Sequence, residues 1–395
     1  MYTFKTNIDI NEYINYLHQH DVVNFMQEPA WANVKNNFGQ ILCGLYQDNK
    51  LVAACQILVR NIKFGIKLFY IPRGYVMDLT NFELLNTFTK EIKKLAKKRH
   101  AYVVKIDPNV CLNEYLFKNK ELLFPKFLSN NVESIGNNFK KSGYVHTGYF
   151  KDFTKTFQPR FNMAAPLVDE NGNHLTCEDF LKTIKSKHRQ YLDKYHDVRG
   201  ITFEVTNDIN RLKDFVDILK YTEKTQKITL RNEEYFRRLL TNFPNRAYFI
   251  FGKINLGKYL EYLENNNGKE EEILKTREWL KKETELTVST GLLLLPDEHN
   301  KIKISEYLYA GNNLEFGKLN IAAGVCLEAI NFSIKNGCDL CNLGGVDGNF
   351  NDHLSIYKSK FNALVLEFIG EYDLIINKPL YYLAKLAYPI IKKIK

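Results

Sequence analysis

One stretch constrains the fold of this chain more than any other. From Glu306 to Phe361 it reads EYLYAGNNLEFGKLNIAAGVCLEAINFSIKNGCDLCNLGGVDGNFNDHLSIYKSKF. A short aromatic strand at 307–309 meets the breakers Gly311, Asn312 and Asn313. Leu319, Ala322, Ala323, Leu327, Ile330 and Ile334 then recur at helical period. Asn336-Gly337 is a left-handed stop for that helix. A second strand at 339–343 runs into Gly344-Gly345, and the stretch closes on Tyr357-Lys358-Ser359-Lys360-Phe361. Strand, loop, helix and strand make a βαβ-like unit with a site at the strand end.

The same order occurs earlier. Residues 69–74 form an aromatic strand ending at Arg73-Gly74, 84–99 has helical period, and 101–106 is a strand stopped by Asp107-Pro108. Gly74 and Asp107 are 33 positions apart, and so are Gly311 and Gly344. Equal elements at equal spacing predict an α+β protein of two similar domains, 1–145 and 146–395. The first should carry a hairpin over 41–46 and 51–60. In the second the matching strands fall at 247–254 and 286–295, and about 256–286 intervenes. That insertion holds Tyr259, Leu260 and Leu263, an Asn-Asn-Asn-Gly turn, then Ile273, Leu274 and Leu280 among charges. It reads as an antiparallel helical hairpin, an arm set into the β-hairpin. Residues 1–40 read as helical, and Arg231 and Tyr235, four apart, read as sharing a helix face.

A formal charge of +10 points toward a polyanion or an anionic membrane as partner. The amino terminus lacks a basic-then-apolar leader pattern, and no run approaches the roughly 20 apolar residues of a span. The seven cysteines are scattered through apolar runs. Cys338 and Cys341 form a CxxC with no second pair for zinc. These features predict a cytoplasmic protein. Lys90, Lys93, Lys94, Lys97, Lys98 and Arg99 make one strongly basic helix face. The tail from 379 sets Leu380, Leu383, Ala384, Ala387, Ile391 and Ile394 at helical spacing beside Lys385, Lys392, Lys393 and Lys395. A basic amphipathic helix of this kind suits the inner face of a membrane. No GxxxxGK followed by Ser or Thr, and no HExxH, GxSxG or GxGxxG motif, is present, and the nine histidines form no pair that reads as a metal site, so no metal is expected.

Taken in order, Glu28-Pro29-Ala30-Trp31 with Lys35, residues 70–74 (YIPRG), Asp107-Pro108, Gln158-Pro159-Arg160, Leu230-Arg231-Asn232-Glu233, residues 307–311 (YLYAG), residues 342–345 (NLGG) and Tyr357-Lys358 resemble the Fem family of peptidoglycan-bridge aminoacyltransferases. The resemblance is greatest to the branch of MurM and MurN, with FemX more distant. It covers nearly the whole chain. It implies two GNAT-like domains with a helical arm, and transfer of an amino acid from aminoacyl-tRNA to the stem-peptide lysine amine of lipid II. Some relatives use soluble UDP-MurNAc-pentapeptide instead. Residues 312–319 lack the glycine pattern that holds acetyl-CoA in ordinary GNAT enzymes, so no cofactor is expected. The arm is short for the family, and Asn362 stands where many relatives have glycine.

Aminolysis of an ester needs a proton acceptor and a stabilised tetrahedral oxyanion. Lys358 is the candidate for the positive charge near the oxyanion or near the tRNA's terminal phosphate, with Tyr357 beside it as a stacking surface. By the resemblance, Asp107 would orient or deprotonate the amine, with Tyr102 on the same strand. Lys35, Arg231, Tyr235 and Tyr309 would hold the precursor's diphosphate and sugar, and Arg73 could serve either anionic substrate. Lys182, Lys185, Lys187 and Arg189 would meet the tRNA backbone. Two alternatives stay open: an acyl-CoA-dependent GNAT, and a basic tRNA- or membrane-binding protein without activity.

Overall fold

The computed structural model describes residues 1–121, 126–128, 130–186, 188–189 and 199–394 of the 395-residue chain. Its strands are β1 (Tyr2–Thr6), β2 (Gly39–Gln47), β3 (Lys50–Asn61), β4 (Lys67–Pro72), β5 (Ala101–Asp107), β6 (Cys111–Leu116), β7 (Val145–His146), β8 (Phe161–Pro166), β9 (Ile201–Thr206), β10 (Ala247–Asn255), β11 (Glu285–Leu294), β12 (Ile304–Asn312), β13 (Leu340–Val346), β14 (Leu364–Phe368) and β15 (Tyr372–Ile375). They build two sheets, ordered β1-β2-β3-β4-β5-β15-β7 and β6-β14-β8-β13-β12-β11-β10-β9.

The internal repetition read from the sequence is real at the level of topology. Each sheet holds an antiparallel run of four strands whose last member pairs in parallel with the next, β4 with β5 and β12 with β13. The crossovers are the helices Phe82–Lys98 and Ile321–Lys335. In the first helix, Leu84, Leu85, Phe88, Ile92, Leu95 and Ala96 are buried at a helical period, while Lys90, Lys94, Lys97, Lys98 and Arg99 stay in solvent. Asn81 caps its start by accepting from Leu84 N.

The inserted arm is present between β10 and β11 as the helices Leu256–Asn265 and Glu270–Leu280. Tyr259 donates to Glu272 at 2.6 Å and Arg277 pairs with Glu264 at 2.7 Å, which fixes them side by side and antiparallel. The amino terminus differs from expectation. Residues 2–6 form an edge strand on β2, because Tyr2, Thr3, Phe4, Lys5 and Thr6 alternate in burial against a waiting sheet edge. The carboxy-terminal helix runs Lys378–Ile394. No helix among the described residues is long and apolar enough to cross a membrane.

One feature has no local signal. The two sheets exchange strands: β15, from the end of the chain, lies between β5 and β7, and β6, from the first half, closes the edge of the second sheet on β14. A shared core joins the halves. Leu58, Leu68, Tyr70 and Val103 of the first sheet pack with Phe215, Phe236, Phe243, Phe249 and Phe251 of the second half. The division into domains 1–145 and 146–395 is retained as a proposal, with one strand lent in each direction.

A bidentate ion pair also crosses this seam. Arg246 Nη1 and Nη2 donate to the Glu28 carboxylate at 2.6 and 2.8 Å, with both side chains largely buried. Arg246→Met would strand the Glu28 carboxylate, whose pKa burial already raises. We expect a loss of roughly 3 kcal/mol, read as a lower urea midpoint at unchanged slope.

Candidate active site

The site begins where two parallel strands part. β12 and β13 pair only at Ile304–Leu340, Ser305–Cys341 and Glu306–Asn342. Beyond that last pair β13 bulges through Leu343-Gly344 before meeting β8 again at Gly345. Gly344 has φ +86, a conformation that favours glycine. A Cβ there would stand 3.5 Å from Lys358 Nζ. Lys358 reaches this bulge from the short helix His353–Ser359, and its Nζ donates to the Gly345 carbonyl at 2.9 Å. Burial pulls its pKa down to about 8. A cation is thus held against a broken sheet ladder.

Gly344 and Gly345 also line a cavity of about 210 Å³. Glu28 and Arg73 line it from the first half, Glu306 and Asn342 from the second. Burial pushes the Glu306 carboxyl up to about 7, even though Arg73, Asn342 and Asn24 all favour its charged form. Asn342 Nδ2 donates to it at 2.8 Å and Asn24 Nδ2 at 3.4 Å. Arg73 sits at φ +51, outside the usual range for an arginine, with its guanidinium 3.7 Å over the Phe368 ring.

Asp107, the last residue of β5, accepts from Arg73 N at 3.4 Å, and its second oxygen is 3.6 Å from Arg73 Nε. Burial raises the Asp107 carboxyl to about 7, against the pull of Arg73. One arginine therefore serves two carboxyls that both titrate near neutrality. Such poised pairs are the groups that general acid-base chemistry requires.

A second cluster forms across the seam. Lys35 Nζ lies 4.8 Å over Trp31 and 5.4 Å over Tyr235; Arg231 lies 5.5 Å over the same tyrosine. Tyr309 donates to the Tyr235 hydroxyl at 3.2 Å. Burial, and then Arg231, lower Lys35 to about 8. Two cations gathered around one tyrosine ring make a basin for an anion. Arg231 precedes its helix, Glu233–Asn242, rather than lying on it. The Asn232 cap, accepting from Tyr235 N, turns the chain so that the two side chains still meet. Phe25, Met26 and Leu308 belong both to this cluster's core and to the cavity wall, so the two are neighbours.

The remaining sequence-predicted residues lie elsewhere. Tyr357 packs edge-on against Phe361 at 5.7 Å and donates to the Ala322 carbonyl at 3.0 Å. Tyr102 is half-buried toward Asp373, which shares Lys105 with Glu371 at 2.8 and 2.9 Å. Lys182 is exposed and paired with Glu178 and Asp179, and Lys185 is exposed. Arg189 is half-buried, and its neighbour His188 packs 5.4 Å from Phe361, which brings this segment to the Lys358 end. Lys187 lies outside the described residues, as does Lys395 of the basic tail. Glu306 was missed as a site residue. Its signal was a carboxylate inside an otherwise aromatic and apolar strand. Of its partners, Asn342 stands in the NLGG tag at 342–345, and Asn24 carries no signal of its own.

Comparison with known proteins agrees with this architecture. The chain is 26% identical over 439 aligned residues to a lipid II:glycine glycyltransferase of Staphylococcus aureus, covering 99% of this chain and 97% of the relative. The crystal structure of FemX superposes with a TM-score of 0.75 at 21% identity, over 96% of this chain and 99% of FemX. A tandem GNAT protein from the clavulanic acid biosynthesis pathway superposes at 0.50 with 8% identity, over 94% and 98%. Both halves therefore have the GNAT-like fold. The model of the FemAB family matches residues 8–288 and 267–389, and the chain belongs to that family.

Proposed function

We propose that this protein is a tRNA-dependent aminoacyltransferase. It moves Ala, Ser or Gly from aminoacyl-tRNA to the stem-peptide lysine amine of lipid II, and so builds a peptidoglycan bridge. Placement in the MurM and MurN branch is part of the proposal, as is peripheral attachment to the inner membrane face through the basic carboxy-terminal helix. The observation that carries it is the convergence of Lys35 with Arg231, Tyr235 and Tyr309, from opposite halves, beside a cavity flanked by two neutral-range carboxyls.

In this reading the basin takes the diphosphate and sugar of the acceptor, and the stem peptide enters the cavity. Asp107 accepts a proton from the lysine ammonium, leaving a free amine to attack the ester carbonyl. The C–N bond forms, Lys358 offsets the charge on the tetrahedral oxyanion, and the ester C–O bond breaks. The nitrogen gives up its second proton to the departing ribose oxygen, and Asp107 releases the first to solvent. Glycine is the first donor to test, since the S. aureus relatives are lipid II:glycine glycyltransferases.

The assay supplies lipid II, or separately UDP-MurNAc-pentapeptide, with tRNA charged with Gly, Ala or Ser. Label reaching the stem lysine with one donor supports the proposal. Transfer from acyl-CoA alone, or from no donor, refutes it. Within an active pairing, Arg231→Met should raise the acceptor KM about 10-fold or more with little change in kcat, because it removes a charge-assisted phosphate contact of roughly 1.5–3 kcal/mol.

A further inference from the structure

A side-chain cluster that the proposed reaction leaves unused sits on the seam between the halves. His18 follows the helix Ile10–Leu17 in the first half; Asp297 and His299 come from the loop joining β11 to β12. His18 Nε2 lies 3.5 Å and His299 Nδ1 lies 2.9 Å from the same oxygen, Asp297 Oδ1. All three donor atoms fall within 4.8 Å of one another, the one group of its kind among the described residues.

We propose that His18, Asp297 and His299 bind a zinc ion that staples the two halves together at the rim of the cavity. Tetrahedral zinc with bonds of about 2.0–2.1 Å sets its donors about 3.3 Å apart. The two distances to Asp297 Oδ1 bracket that spacing. Two imidazoles and one carboxylate suit zinc, whereas magnesium and calcium select oxygen-only sets.

The carboxylate is already oriented. Its Oδ1 accepts from His299 N at 3.0 Å, and its Oδ2 lies 3.5 Å from Arg246 Nη1. Outer contacts of this type fix a ligand in place. The charge of Arg246 is itself balanced by its bidentate pair with Glu28. The imidazoles stack with centroids 3.7 Å apart and planes at 9°. Metal entry turns them about their Cβ–Cγ bonds until both lone pairs meet one point. Their side chains are 26% and 48% exposed, which leaves room for that turn and for water as fourth ligand.

The position gives the ion a structural role. The same loop grips the segment after His18: the Asn300 side chain bonds both Val23 N and Val23 O, at 3.3 and 3.0 Å, and Ile302 N donates to Asp21 O at 2.9 Å. Val22, Val23, Asn24, Pro296 and Asn300 all line the cavity. A metal at His18 would hold this roof closed across the seam.

The test uses full-length protein without an affinity tag, stripped with chelator and dialysed against zinc. We expect one equivalent of zinc per chain and a melting temperature raised by about 2 °C or more at saturating metal. Cobalt in its place should give visible d–d absorption of a four-coordinate site. Both signals should vanish in His18→Ala and in His299→Ala and persist in His100→Asn, which alters an exposed histidine outside the cluster. Circular dichroism checks that each variant is folded. Equal zinc uptake by the wild type and the His18→Ala, His299→Ala double variant would overturn the proposal, as would no uptake by the wild type.

Discussion

Lys358→Met is expected to lower transfer by about 10²–10³-fold, the usual consequence of removing one preorganised donor from an oxyanion site. Methionine keeps the unbranched stem, so the packing beneath Gly344 and Gly345 survives. Stability should move the other way. Lys358 is buried, with the Gly345 carbonyl accepting from it and its pKa down at about 8. A charge kept in such a place is costly, and its removal is neutral or stabilising. Between pH 8 and about 10 the unfolded chain binds more protons at this lysine than the native chain, so the wild type gains stability on the variant as pH rises. Melting curves at pH 7 and pH 9.5, beside single-turnover rates, separate the roles. A variant that keeps full transfer would remove Lys358 from the chemistry. A variant that loses transfer and melts far lower would make it a structural residue.

Asp107→Asn is expected to lower kcat/KM by about 10²–10⁴-fold, the range for a positioned general base. The wild type should lose activity as pH falls through about 7, where the raised carboxyl takes up its proton. The variant's residual activity should lack that limb. The accompanying stability effect has a fixed sign. The native pKa lies above the unfolded value of about 3.9, so between those two values the native state holds more protons and loses stability as pH rises. The melting temperature of Asp107→Asn relative to wild type should therefore climb from pH 5 to pH 8. Glu306 titrates in the same range, so Glu306→Gln is the necessary companion. If the acid limb survives in Asp107→Asn and disappears in Glu306→Gln, the base is Glu306.

Much of the fold was legible because its signals are local. The helices Phe82–Lys98 and Ile321–Lys335 show in their periodicity, the β2–β3 hairpin in its turn, and the arm in the Asn-Gly break between two helical patterns. The amino terminus reads as helical although Tyr2, Thr3, Phe4 and Thr6 each favour a strand; the free edge of β2 takes that segment up. Arg231 and Tyr235 were paired by a helical spacing, but a capping turn joins them.

The sequence by itself determined that two similar βαβ-containing units occur, where the arm is inserted, and which family pattern the chain carries, since each depends on residues near one another in the chain. Only the tertiary structure decided the rest. The strand exchange of β6 and β15, the meeting of Lys35 with Tyr235, and the placing of Arg73 between Asp107 and Glu306 join residues up to hundreds of positions apart. The raised carboxyls follow from those meetings. A pKa is set by burial and by the charges that surround the group, and periodicity along a chain encodes neither.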